Sequence, residues 1–132
     1  MIKDGVLIDT SVLIEFFKGQ KSIGDDVLNL LQANRGAVTG IVIAELLQGM
    51  KNLKEEFSIT DLMEGMQIFE VTTSTWIMAG RIALGLRRKG LNLPLTDIAI
   101  ASLAIEHSLQ IFTLDKHFGQ IPGVNIYRHL PL

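Results

Sequence analysis

VLIDTSVLIEFFKG (residues 6–19) passes from a short apolar run into an acid, then two hydroxyl residues, then a helical pattern that stops at glycine. The run VLID (6–9) reads as a buried strand that ends in Asp9. Thr10 or Ser11 is placed to cap the helix SVLIEFFK, and Gly19 to close it. A strand that runs directly into a helix is the opening of a βα unit. The same alternation continues outward from this segment. Ser22 opens a helix whose Ile23, Val27, Leu30 and Leu31 share one face, and Asn34 and Gly36 end it. AVTG (37–40) is a second strand, followed by a helix from about Ile41 through AELLQGM and a further helical stretch, NLKEEF. QIFEV (67–71) is a third strand. Thr73 or Ser74 then caps a long helix through Arg88, closed by Gly90. Pro94 blocks helix, and Thr96 caps DIAIASLAIEHS. QIFTLD (110–115) and VNIYR (124–128) supply a fourth and a fifth strand. Strands alternating with helices predict an α/β fold with a mainly parallel sheet.

The chain of 132 residues, 48% hydrophobic and 20% charged, suits a single domain over 1–132 that buries a core without staples. With no cysteine it has no disulfides, thiol nucleophile or Cys-built zinc site, which fits a reducing, cytoplasmic setting. The start MIKDGVLIDT lacks the features of a targeting segment. GIVIAELL and LPLTDIAIASLAI each carry an acid and fall short of a membrane span, so no membrane role is expected. The net charge of −2 is unevenly spread: residues 1–75 hold 6 basic and 11 acidic groups, residues 76–132 hold 6 basic, 3 acidic and all three histidines. A basic second half suits a phosphate-facing surface.

Four acids stand out by their surroundings. Asp9 and Asp115 each follow apolar strand residues and precede a turn or helix, and in a parallel sheet such strand ends share one edge. Asp97 begins a helix just after Pro94 and Thr96, and Glu45 sits inside IVIAELL between apolar neighbours. Taken singly, each has a bland explanation. Asp97 in a first helical turn favours the helix dipole, Asp9 and Asp115 suit helix caps or Asx turns, and Glu45 suits an exposed helix stripe. Together they suggest a shared site. Clustered carboxylates repel one another unless a cation neutralises them, and an all-oxygen set suits Mg²⁺ or Mn²⁺. Such an ion activates water for phosphodiester hydrolysis. Thr10, Ser11 and Thr113 lie beside these acids, where their hydroxyls can orient carboxylates.

This order of acids resembles the PIN-domain ribonucleases and, within them, the VapC toxins of prokaryotic toxin–antitoxin pairs. The likeness is carried by VLIDTSVLIEFFKG (6–19), IVIAELLQG (41–49), LPLTDIAIASLAIEHSLQIFTLDKHF (93–118) and VNIY (124–127), and so runs over essentially the whole chain. It implies a three-layer sandwich, a five-stranded parallel sheet of order 3-2-1-4-5 flanked by helices. It implies that Asp9, Glu45, Asp97 and Asp115 are the catalytic quartet and hold one or two Mg²⁺ or Mn²⁺ ions. Ser11 and Thr113 match the family's supporting polar positions. The implied activity is endonucleolytic cleavage of RNA, often tRNA or ribosomal RNA. A cognate antitoxin lying across the groove and a homodimer are implied as well. In the segment VTGIVIAE that leads to Glu45 the only hydroxyl is Thr39, whereas many relatives carry one nearer the Glu.

Arg81 and Lys116 are the candidate phosphate contacts, although basic residues at helix ends are commonly solvated. His117 is placed to touch substrate, while His107 and His129 read as structural or surface residues. Trp76, the single tryptophan, is expected in the core or an interface. NLKEEFSITDLMEGM reads as partner-binding helix or as cover for the sheet. Two other readings share these features: a non-catalytic interaction module, and a housekeeping RNA-processing nuclease. A phosphatase of the Asp-x-Asp type is disfavoured because residue 11 is Ser.

Overall fold

The computed structural model describes residues 2–128. Its elements alternate as the sequence predicts: β1 (Val6–Ile8), α1 (Thr10–Phe17), α2 (Lys21–Gln32), β2 (Gly36–Thr39), α3 (Gly40–Gln48), α4 (Leu53–Glu64), β3 (Gln67–Phe69), α5 (Thr73–Arg88), α6 (Leu95–Glu106) and β4 (Gln110–Phe112). A short 3-10 helix, Lys116–Gln120, follows. The strands form a parallel sheet of order β3-β2-β1-β4.

This order fixes the layers. Successive strands β1, β2 and β3 step one way across the sheet, and β4 returns to the far side of β1. Right-handed crossovers then put α1–α4 over one face and α5 and α6 over the other. The packing agrees: α1 touches α2 and α3, α3 touches α4, and α5 packs along α6. A sheet covered on both faces needs strands without polar alternation. Val6, Leu7 and Ile8 are accordingly all fully buried. Helix α6 is enclosed too, with Ile98 through Ala104 buried without a break. Ser102 belongs to that run and satisfies its hydroxyl on the Ile98 carbonyl at 2.8 Å.

Helices pass into the next segment through left-handed residues. Asn34 (φ 56°) ends α2, and Ser108 (φ 54°) ends α6. In each case the following N–H reaches back to the helix, Arg35 to Leu30 and Leu109 to Ala104, and the next strand begins at once. Gly90 (φ 81°) closes α5 in the same way.

Some starts and ends differ from the sequence reading. Helix α1 begins at Thr10 with Asp9 in the capping position, α2 is capped by the Gln20 side chain, and α5 by Thr72 in a reciprocal pair with Thr75. Helix α6 begins at Leu95, not after a Thr96 cap, because the Pro94 carbonyl already accepts from Ile98 N–H at 3.1 Å. β4 stops at Phe112, since Thr113 turns its hydroxyl to the Asp115 N–H.

The expected fifth strand is corrected to an isolated bridge between Ile111 and Ile126. Ile111 donates to the Asn125 carbonyl and accepts from Tyr127 N–H, both at 2.8 Å. The ladder grows no further toward Pro122 because Val124 N–H turns back to the Ile121 carbonyl. Trp76 lies on the surface of α5, 43% exposed, and is not a core residue. His107 is exposed and its ring sits 4.6 Å from that of Phe69; His129 lies outside the described residues. Among the described residues no helix is long and apolar enough to cross a membrane.

Candidate active site

β1 and β4 are neighbours whose connections leave in opposite directions, so a crevice opens beyond their carboxyl ends. Ile8 pairs with Phe112, and the ladder extends one step further as Asp9 N–H donates to the Phe112 carbonyl at 2.9 Å. Asp9 therefore stands at the mouth of the crevice. It holds the capping position of α1, but its carboxylate makes no cap hydrogen bond. It is 5% exposed and turned to other partners: Ser11 Oγ and Thr113 Oγ1 both donate to Asp9 Oδ2 at 2.8 Å.

Each of those hydroxyls has one proton. Both protons go to Asp9, so Ser11 and Thr113 are left as acceptors. They receive the N–H of Leu114 and of Asp115, each at 3.0 Å. The 3.3 Å approach of the two hydroxyls is then proximity, not a further hydrogen bond. This network ties β1, α1 and the turn after β4 together and leaves Asp9 Oδ1 without a hydrogen bond from the described residues. Replacing Thr113 by Val keeps the shape and removes the hydroxyl. Divalent-metal affinity is expected to fall about 10- to 100-fold, the range for groups that orient ligands. Mn²⁺ titration of Thr113→Val checks this, and unchanged affinity would dismiss the network as ornament.

Glu45 reaches the site from α3, partly buried, with Oε1 accepting from Thr10 Oγ1 at 2.8 Å. Asp115 caps the 3-10 helix, its Oδ1 accepting from His117 N–H at 3.0 Å. His117 Nδ1 lies 3.2 Å from the same oxygen. Asp97 enters in the first turn of α6. Its carboxyl is raised from 3.8 to about 6, first by burial, then by the charges of Asp9, Asp115 and Glu45, with His117 pulling the other way. Asp9, Glu45 and Asp115 are thus all within electrostatic reach of Asp97. Among the described residues none of the four forms an ion pair with a lysine or arginine; His117 on Asp115 is the sole basic neighbour at that distance.

Carboxylates gathered from four elements with no internal counter-charge form a poor anion site and a good cation site. The hard oxygen donors fit Mg²⁺ or Mn²⁺. Asp97, Asp115 and His117 offer ligand atoms all within 4.8 Å of one another. His117, which the sequence places only as a substrate contact, is the member of this trio outside the predicted quartet. Arg81 and Lys116 are exposed and are not seen to contact the quartet. Thr39, at the end of β2, is fully buried, and its hydroxyl finds no hydrogen-bond partner among the described residues.

A cleft of about 570 Å³ leads away from Glu45 between α1, α3 and α4. Ile14, Phe17 and Met50 give it an apolar floor, and Lys18, Lys51 and Lys54 line it too. Beyond it on α4, Leu53 and Phe57 are 78% and 70% exposed, whereas Ile59 and Met63 face the core. The segment NLKEEFSITDLMEGM is thus both cover for the sheet and an exposed apolar ridge.

Sequence comparison matches the PIN domain profile to residues 6–124. The chain belongs to the PIN domain family. Ribonuclease VapC1 of Methanocaldococcus jannaschii is similar over 125 residues at 27% identity, covering 92% of this chain and 86% of that protein. Among solved structures, a chain in the DNA-bound VapBC complex of Salmonella typhimurium superposes with a TM-score of 0.82 at 22% identity. A chain of VapBC2 from Rickettsia felis, bound to a promoter DNA fragment, gives 0.81 at 23%. Each covers 96% of this PIN chain and 98% of the other, which establishes the shared fold.

Proposed function

We propose that this PIN chain is a divalent-metal-dependent endoribonuclease of VapC type, the cytoplasmic toxin of a toxin–antitoxin pair. The observation that carries the reading is the convergence of Asp9, Glu45, Asp97 and Asp115 with Asp97 pushed to about 6 by burial and the other three. The likeness to ribonuclease VapC1 supports RNA as the substrate class.

Asp9, Glu45, Asp97 and Asp115 would hold Mg²⁺ or Mn²⁺. Bound there, the ion supplies an acidified water and charge stabilisation at the phosphate. The chain supplies the rest. Ser11 and Thr113 fix the Asp9 carboxylate through Oδ2, and Thr10 fixes Glu45 through Oε1. Pre-set carboxylates need no reorganisation when substrate arrives. Arg81 and Lys116 meet flanking phosphates of a tRNA or ribosomal RNA. Removing the four site charges leaves the remaining chain at +2, so a metal-loaded site does not repel RNA. The antitoxin lies along the cleft from Glu45, its apolar side on Ile14, Phe17 and Met50. The active form is a homodimer.

The test is incubation of the purified chain with total tRNA and ribosomal RNA, with Mn²⁺ or with chelator. Discrete fragments that need Mn²⁺ and vanish in Asp97→Asn are expected, as is growth arrest on expression that a neighbouring small gene product relieves. Cleavage without growth arrest points to a housekeeping nuclease. No metal binding and no cleavage would leave an interaction module and end the nuclease reading.

A further inference from the structure

His117 lies outside the carboxylate quartet, yet it is held against it. Its backbone N–H donates to Asp115 Oδ1 at 3.0 Å, and its Nδ1 sits 3.2 Å from the same atom. The next residue, Phe118, is fully buried and pins the turn that carries the ring. The ring itself is about half-exposed, with Asp115 as its ion-pair partner. A ligand atom of His117 lies within 4.8 Å of one from Asp97 and one from Asp115. Donors at roughly 2.1 Å from one octahedral ion stand about 3 to 4.2 Å apart, so only small side-chain shifts separate this trio from a common ion. With the ring proton on Nε2, Nδ1 turns its lone pair toward Asp115, the side on which a shared ion would lie.

We propose that Asp97, Asp115 and His117 form a mixed nitrogen–oxygen edge of the metal site, which makes this chain select a transition ion such as Mn²⁺ over Mg²⁺. The inference rests on the metal-dependent reading above and deepens it. Mg²⁺ favours oxygen ligands and keeps its waters, whereas an imidazole nitrogen adds affinity for first-row transition ions. A quartet of carboxylates alone gives no such preference. His107 provides an internal control. It follows the last turn of α6, at the opposite end from Asp97, and its ring lies tilted against that of Phe69.

The experiment uses the untagged full chain and Mn²⁺ itself as probe. Electron paramagnetic resonance measures Mn²⁺ binding and its displacement by Mg²⁺, and pulsed spectra detect nitrogen coupled to the bound ion. Imidazole coupling is expected in the parent and in His107→Gln and absent in His117→Gln. The Mn²⁺ over Mg²⁺ preference should fall about tenfold in His117→Gln. Bound Mn²⁺ without imidazole coupling, or coupling that survives in His117→Gln, would overturn the nitrogen ligand while leaving the carboxylate site standing. No bound Mn²⁺ in the parent would overturn both this inference and the metal-dependent nuclease.

Discussion

Asp97→Asn is expected to lower RNA cleavage at least about a thousandfold, roughly 4 kcal/mol of barrier, and at the same time to stabilise the metal-free protein at neutral pH. The two effects have one cause. Asp97 titrates near 6 in the folded chain because it is buried beside Asp9, Asp115 and Glu45. Its folded pKa lies above its ordinary value of 3.8, so between about 4 and 6 the folded state binds the proton more tightly than the unfolded state. Stability therefore falls as pH rises through that window, and the penalty is complete above it. Asn carries no charge at any pH and escapes the penalty. Partial solvent screening reduces the effect to about 1 kcal/mol, or about 3 to 4 °C in melting temperature. Thermal melts in chelator should thus show Asp97→Asn above the parent at pH 7.5 and level with it near pH 4. Saturating Mn²⁺ should reverse the order, since an ion that binds only the folded parent stabilises only the parent. A variant that melts below the parent in chelator at pH 7.5 would mean that the Asp97 carboxylate is not penalised by its burial and its acidic neighbours.

That trade of stability for a charged site was partly legible in the sequence. The strand that ends in Asp9 and the strand before Asp115 follow from apolar runs closed by an acid, and parallel pairing brings those ends together. The order of the first four strands is the one the PIN resemblance implies. What was not legible depends on competition between local hydrogen bonds. The segment VNIYR has strand composition, but Val124 N–H is spent on the preceding turn and only Ile126 bridges. Thr96 has capping chemistry, but the carbonyl of Pro94 starts the helix first. Asp9 occupies a cap position and declines the cap, because Ser11 and Thr113 offer its carboxylate better-placed protons. His117 reads from the sequence only as a substrate contact; its contact with Asp115 is made by the 3-10 turn, which sequence periodicity does not reveal.

That turn is where the second large effect is expected. Residues 113–121 alternate between the site and the core: Thr113, Asp115 and His117 serve the carboxylate cluster, while Phe118 and Ile121 are 0% and 3% exposed. Polar side chains at a site edge cannot hold their own backbone in place, because water competes for every hydrogen bond they make. The apolar anchor does it instead. Phe118→Ala removes a fully buried ring and leaves a cavity, at a cost of about 3 to 5 kcal/mol, which is a large share of the roughly 5 to 15 kcal/mol that holds a domain together. Urea unfolding followed by circular dichroism should show that loss, and Phe118→Leu should recover most of it. The consequence for function is sharper than the stability alone. Where Phe118→Ala is still folded, Asp115 and His117 lose the platform beneath their turn, so metal affinity should drop further than the folded fraction accounts for. Phe118→Ala that loses the expected stability and yet binds Mn²⁺ as the parent does would show that the turn holds its shape without the anchor. The geometry argues otherwise: the ring, not the carboxylate network above it, is the deepest fixed point of this segment.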